Sequence, residues 1–409
     1  MDRPSPRIQV HDFAGHPFQA DLSRELARRG FEVDHVFSAQ YSSGKGRLQR
    51  ESGDPETLTF TPIRVDAKFD KYSPVGRSRY ELAYAAAWKR HAQRTSPDCV
   101  IACNVPLLTL NRFRAWASRV KQPWILWHQD IFSLAMGDEL DRRFPAPVAR
   151  LGRSYFTSRE RKAVASASRV IAIGEEFRKL YLEWGIDPSA IEIIPNWAPV
   201  DDIKPTESEN SWALEKLESG KGLRLLYAGM LGRKHNPQLL IDLLDATSSS
   251  HDAELVVVSE GDGAEDIRTI ALKRPEAAIT VLPFQNAENL SQVLGSGDVL
   301  VAILEPEASK FSIPSKVLSY MSAGRPILGL MPADNPAAED ILATGGFVAT
   351  PDAAGVKQSV AWLAQLIDDP ELIKQTGRKA RILAEDKFGV VPITDRFVAV
   401  IEKALATKS

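Results

Sequence analysis

Short apolar runs rich in β-branched residues recur along this chain, each followed by a segment whose apolar residues return every three or four positions. In the first 200 residues the runs are RIQVHDF, FEVDHVFS, DCVIACN, WILWHQD, SRVIAIG and IEIIPNW. Between the first two, ADLSRELARRG sets Leu22, Leu26 and Ala27 on one helical face and stops at Gly30. Strand, helix, strand in that order predicts parallel strands joined by right-handed crossovers. The tract ending in DDIKPTESENSW is acidic, polar and proline-containing, and reads as a linker. The same grammar then restarts with GLRLLYAGM, AELVVVSEGDG, AITVLPF, GDVLVAILE, GRPILGLM and GGFVAT. A chain of 409 residues exceeds what one core usually supports. The expected fold is α/β: two doubly wound Rossmann-like domains, 1–200 and 201–385, with a ligand cleft where strand C-termini of both domains face each other. Residues 386–409 have helical apolar spacing after the break at VVPITD, and either pack on the second domain or cross back to the first.

Composition narrows the class. With 44% apolar and 25% charged residues the chain is globular and can bury a large core. Its net charge of -2 hides an asymmetry: residues 1–200 hold 30 Lys+Arg against 23 Asp+Glu, leaving 21 against 30 for the rest. The basic half points to an anionic partner. Cys99 and Cys103 lie four positions apart on one strand, roughly 13 Å, which is too far for a disulfide. They read as buried structural thiols. No secretory leader and no run of 18 apolar residues is found, so the expectation is a cytoplasmic protein without a membrane span. From Arg142 to Lys162 seven cations and one acid interleave with Phe144, Val148, Leu151, Tyr155 and Phe156. That segment is either a solvated Arg-rich helix or a peripheral contact with anionic membrane at the inner face of the cell membrane. Nucleic acid is not expected, because no binding motif accompanies the charge.

Candidate chemistry gathers in the second half. SIPSKVLSYMSAGRPIL reads as a loop, a short helix with Val317, Leu318 and Met321 on one face, and a stop at Gly324. Ser312 or Ser315 can cap it, yet Lys316 stands in its first turn, against the helix dipole. Two readings fit: a solvated lysine, or a lysine held for a bound diphosphate at an anion-accepting helix start. A second turn favours the latter. Directly after the strand GLRLLYAG comes MLGRKHNPQLLIDLL, a glycine-bounded turn with Arg233 and Lys234, followed by a helix that Asn236 can cap with Pro237 at its first position. Two cationic turns of one domain make a diphosphate clamp.

IIPNW, YAGMLGRKHNPQLLIDL, SEGDG, LPF and PSKVLSYMSAGRPIL, in this order, resemble the family 4 (group 1) nucleotide-sugar glycosyltransferases of GT-B fold. The likeness is to bacterial transferases that build exopolysaccharide or O-antigen units, of the colanic-acid type, and is strongest over 190–350. It implies retaining transfer from a UDP-, GDP- or ADP-sugar to a glycan or a polyprenyl-diphosphate-linked acceptor, with no cofactor and no metal. It also implies that Arg233, Lys234 and the Ser315–Lys316 helix start hold the donor diphosphate. Cations aimed at a leaving group whose charge grows in the transition state lower the barrier. By the same resemblance Gly261 lies at the cleft edge, and Phe284 beside the nucleobase. Gly15 lets the first-domain loop approach the phosphates and His16 reaches the cleft. Asn196 matches a hinge-proximal asparagine whose role is turn chemistry. His128 and Asp130 fall where family members carry a group near the acceptor, and either can accept a hydroxyl proton.

The sequence departs from the family pattern in two respects: Met230 stands where many members have arginine, with Arg233 as the substitute, and the usual glutamate pair is missing. Ser319 stands where the second of two glutamates grips the donor ribose, and Phe311 near the first; Glu305 or Glu307 would have to compensate. A GT-B inverting transferase or epimerase, or a non-catalytic partner subunit that only binds nucleotide, are therefore the alternatives. No G-x-G-x-x-G follows the first strand, which disfavours a dinucleotide dehydrogenase.

Overall fold

The structure is a computed structural model that describes residues 5–41, 47–67, 73–218, 222–232, 236–305 and 315–406. The chain divides into two compact units. One takes the chain up to Asn196 and again from Val390; the other is Trp197–Gly389.

The first unit runs β1 (Arg7–Asp12), α1 (Pro17–Arg28), β2 (Glu32–Ser38), β3 (Leu58–Ile63), α2 (Pro74–Thr95), β4 (Cys99–Cys103), α3 (Leu107–Val120), β5 (Trp124–His128), α4 (Phe132–Arg143), α5 (Ala146–Ser166), β6 (Arg169–Ala172), α6 (Glu175–Glu183) and β7 (Ile191–Ile193). Its seven parallel strands lie in the order β3-β2-β1-β4-β5-β6-β7. The apolar runs mark six of these. They do not mark β3, where Thr59 and Thr61 alternate with Leu58 and Phe60 and only the two end residues are buried, as an edge strand tolerates. The core is aromatic. Trp88 of α2 stacks on His11 at 3.7 Å and on Phe113 at 4.0 Å, and its indole N–H donates to Gln9 at 2.8 Å. Cys99 and Cys103 are buried.

The second unit runs α7 (Ser211–Lys216), β8 (Leu223–Ala228), α8 (Gln238–Ser248), β9 (Ala253–Val258), α9 (Asp262–Lys273), β10 (Ile279–Leu282), α10 (Leu290–Ser296), β11 (Val299–Ile303), α11 (Ser315–Ser322), β12 (Ile327–Leu330), α12 (Pro336–Ala343), β13 (Phe347–Ala349), α13 (Ala353–Asp368) and α14 (Pro370–Phe388). Six parallel strands lie in the order β10-β9-β8-β11-β12-β13. Successive strand residues serve opposite faces, so Leu226, Val256 and Leu300 build one core while Leu225, Val257 and Val301 build the other. Both faces being covered by helices explains strands that read as unbroken apolar runs.

Two expectations change. The polar tract before residue 220 is not a loose linker. Ile203 and Trp212 are buried in the second core, and the Arg381 guanidinium donates to the carbonyls of Val200 and Ile203 at 2.9 and 2.7 Å. A few large apolar residues anchor a segment whose average is polar. α8 also starts at Gln238, with Pro237 at the capping position and Asn236 left-handed at φ +44, so the cap assigned to Asn236 is corrected. The final helix, α15 (Val390–Ala406), belongs to the first unit, where Phe397 meets Trp127 edge-on at 4.8 Å.

Candidate functional site

In the second unit, the C-terminal ends of β8, β9 and β11 and the head of α11 enclose a pocket of about 570 Å³. Phe284, Ser315, Lys316 and Ser319 all line it. Parallel strands point their C-termini to one edge and the following helices present their first turns there, which is why these turns meet. The anchor between them is Tyr320. Its hydroxyl accepts the Ala228 N–H and donates to the Ala228 carbonyl, both at 3.0 Å, tying α11 to the end of β8.

Lys316 sits at the polar end of this pocket. Its Nζ donates to the Tyr227 hydroxyl at 2.5 Å and lies 3.9 Å from the Tyr227 ring centroid. The Tyr227 hydroxyl in turn donates to the Met230 carbonyl at 2.9 Å, so the lysine is wired to the turn after β8. Gly229 opens that turn at φ +130, and a Cβ placed there would lie 3.5 Å from Nζ. The backbone angle is what calls for a glycine here, since the amine would lie at ordinary contact distance from a Cβ. Burial lowers the Lys316 pKa from 10.5 to about 8. A desolvated ammonium facing a pocket is a group that an anion would stabilise.

The remaining second-unit residues are placed as follows. Ser319 is half-buried on the pocket wall and Ser315 is exposed at its rim. Phe284 is 43% exposed, an open aromatic face on the same pocket. Gly261, at φ +105 before α9, is not among the lining residues. It packs behind the β8 turn, where a Cβ would come within 3.1 Å of the Leu231 carbonyl. Glu305 is half-buried just past β11. Arg233, Lys234, Glu307 and Phe311 lie outside the described residues.

In the first unit the loop after β1 builds a second polar cluster. Gly15 takes φ +77, and a Cβ there would meet Leu48 Cδ1 at 2.6 Å. The Asp12 carboxylate is buried and accepts the backbone N–H of His16 and, at 3.3 Å, that of Ala14. Asn104, left-handed at the end of β4, donates to Asp12 Oδ1 at 3.2 Å and lies 3.1 Å from His16 Nδ1. Burial alone would raise the Asp12 pKa, but the hydrogen bond and charge of His16 outweigh it and hold it low. Hydrogen bonding to Asp12 raises the His16 pKa against partial burial, with Asp12 and Asp130 adding attraction. Asp130 is exposed. Gln129 and Asn196 exchange amide hydrogen bonds of 2.8 and 2.9 Å, which makes Asn196 a partner of β5's end.

His128 is corrected. Its ring is buried, with Nδ1 bonded to the Tyr181 hydroxyl at 2.7 Å and Nε2 to Glu160 at 3.2 Å. Glu160 also accepts the backbone N–H groups of Phe132 and Ser133 at 2.8 and 2.9 Å, fixing the start of α4. Both imidazole nitrogens are used, so His128 is a core bracket between β5, α5 and α6 and not an open base. Asp12, Asn104, Tyr227 and Tyr320 are the polar residues that the sequence reading missed. The signal for Asp12 is a carboxylate ending a strand just before a glycine turn. Among the described residues no group of three or more His, Cys, Asp or Glu could hold a metal ion, and no helix is long and apolar enough to cross a membrane.

Residues 15–197 match the family described as glycosyl transferase 4-like domain, and residues 222–366 the family described as glycosyl transferases group 1. A Pseudomonas aeruginosa protein named as a probable glycosyltransferase, WbjE, is 23% identical over 93% of this chain and 99% of its own. WcaI of Escherichia coli, named for colanic acid biosynthesis, is 23% identical over 43% of each chain. Among solved structures, the Anabaena protein Alr3699/HepE, in complex with UDP and glucose, superposes with a TM-score of 0.67 at 16% identity, covering 97% of this chain and 99% of the other.

Proposed function

The chain belongs to the group 1 glycosyltransferases of GT-B fold, and from that premise we propose the reaction it carries out. A sugar moves from a nucleoside diphosphate sugar to a hydroxyl of a glycan or polyprenyl-diphosphate-linked acceptor, in assembly of a bacterial surface polysaccharide. The anomeric configuration is retained, and no metal takes part. The naming of WcaI for colanic acid biosynthesis and the binding of UDP and glucose by Alr3699/HepE support this choice of substrate class.

The observation that carries the reading is the half-buried, desolvated Lys316 ammonium beside the Gly229 turn, in the pocket that Phe284 also lines. Phe284 receives the base and Lys316 the diphosphate. As the bond from the anomeric carbon to the β-phosphate oxygen breaks, negative charge grows on the departing diphosphate and Lys316 gains attraction to it. The acceptor oxygen forms the new bond to that carbon, and its proton passes to the Asp130 carboxylate. Asp130 takes this role because it is the exposed carboxylate near His16, whereas His128 is engaged. The α4–α5 hairpin, whose Phe144, Val148, Leu151 and Tyr155 are exposed among arginines, meets an anionic bilayer and brings the protein to a lipid-linked acceptor.

Thermal unfolding with UDP, GDP and ADP tests the donor class, since a ligand of the native state at a hundredfold its Kd adds about 2.7 kcal/mol. One of the three should raise the melting temperature, and the matching sugar nucleotide should be consumed when a lipid-linked acceptor is added. If a nucleotide binds and no sugar nucleotide is turned over, the partner-subunit reading replaces this one. A product with inverted anomeric carbon, seen by NMR, would remove retention alone.

A further inference from the structure

In the first unit, α2 and α3 pack together and leave between them a groove of about 470 Å³. Its floor is Leu82, Ala85, Ala86, Ala115 and Trp116, and its rim is Lys89, Arg112 and Arg119. None of these three cations forms an ion pair among the described residues. Together α2 and α3 carry eight lysines and arginines against a single acid, Glu81, which is already held by Arg77 at 2.8 Å. The indole N–H of Trp116 is buried without a hydrogen-bond partner among the described residues, although the residue is 8% exposed at the floor. An apolar trough with a cationic rim matches a molecule that has an anionic head and a hydrocarbon tail. Solvated surface cations would not need the apolar floor, and a small anion would not use it.

We infer that the α2–α3 groove is a binding site for an anionic phospholipid of a bilayer, its phosphate among Lys89, Arg112 and Arg119 and the start of an acyl chain over Ala86 and Trp116. α5, the second helix of the α4–α5 hairpin, packs on α3, which lines the groove. The inference shares its partner with the bilayer contact proposed for that hairpin and adds a discrete lipid site to it. Electrostatic attraction of about 1 kcal/mol for each cation near such a surface makes removal of three worth about a hundredfold in vesicle binding.

The full chain is floated with vesicles of phosphatidylcholine alone, or with roughly one-third phosphatidylglycerol, in matched salt. Binding should need phosphatidylglycerol and fall about a hundredfold in Lys89→Gln/Arg112→Gln/Arg119→Gln. Ala86→Phe keeps every charge but fills the trough without adding an indole. It should abolish the quenching of Trp116 emission by brominated phosphatidylglycerol, and quenching should shrink equally in Trp116→Phe. Arg150→Glu/Arg153→Glu in the hairpin should weaken flotation while leaving the quenching of bound protein. Unchanged binding of the triple variant, or unchanged quenching in Ala86→Phe, overturns the site. So does protection from quenching by inorganic phosphate alone, which would show a site for a small anion. Circular dichroism checks that each variant is folded.

Discussion

Lys316→Met separates two consequences of one buried amine. In the native chain the pKa is about 8, so the side chain is mostly protonated at pH 7 and mostly neutral at pH 9. A diphosphate drawn against it by a charge-assisted hydrogen bond of about 1.5–3 kcal/mol should bind about 10- to 150-fold more weakly to Lys316→Met at pH 7. Because the bound anion restores the ammonium, binding to the native chain takes up a proton above pH 8 and weakens by up to about tenfold per pH unit there. The stability effect has the opposite sense. The unfolded lysine holds its proton until about 10.5 and the folded one releases it near 8, so below pH 8 the folded state bears the full penalty of a buried charge, and the penalty fades as pH rises through 8 toward 10.5. The fall from 10.5 to about 8 caps this penalty on the order of 3 kcal/mol. Lys316→Met should therefore melt higher than the native chain at pH 7 and lose that advantage toward pH 10. Calorimetric titration of UDP, GDP and ADP between pH 7 and 9.5, in two buffers of unlike ionisation enthalpy, measures affinity and proton uptake together. Affinity independent of pH in the native chain, or the same pH slope surviving in Lys316→Met, would refute the assignment.

Two further expectations concern the first unit. Asp12→Asn should lower the His16 pKa, because the hydrogen bond that the His16 ring donates to the Asp12 carboxylate is the main cause of its rise; an NMR titration of the imidazole that does not move would show Asp12 to be irrelevant to it. His128→Ala should lose about 1–3 kcal/mol in chemical denaturation through the stranded Glu160 and Tyr181 partners, and His128→Gln should recover part of it. A variant that melts like the native chain yet loses transfer activity would return His128 to the chemistry.

Periodicity and turn chemistry made the α/β plan legible, and they led to the head of α11, because a proline, a serine and a lysine before an apolar face are local signals. What decides His128 is not local. Its partners Glu160 and Tyr181 lie 32 and 53 residues further on, and only the packing of α5 and α6 against β5 brings them to the ring. Asp130, two residues away on the same sequence motif, escapes that packing and stays exposed. Lys316 shows a similar limit. The sequence places it in a first helical turn, while the Tyr227 ring that desolvates it is 89 residues earlier. The tract before residue 220 was misread because average polarity hides the two or three large apolar residues, Ile203 and Trp212 among them, that decide burial.

The return of α15 to the first unit has a consequence for how the chain is made. Trp127 is synthesised early, but its edge-on partner Phe397 emerges only after every residue of the second unit. The earlier sheet has all seven strands by Ile193, yet it must wait for α15, with part of its apolar surface uncovered, until the second unit has been made. During synthesis the second unit should reach its native state first, against the usual N-terminal-first order, and the nascent first sheet is where a chaperone would be needed.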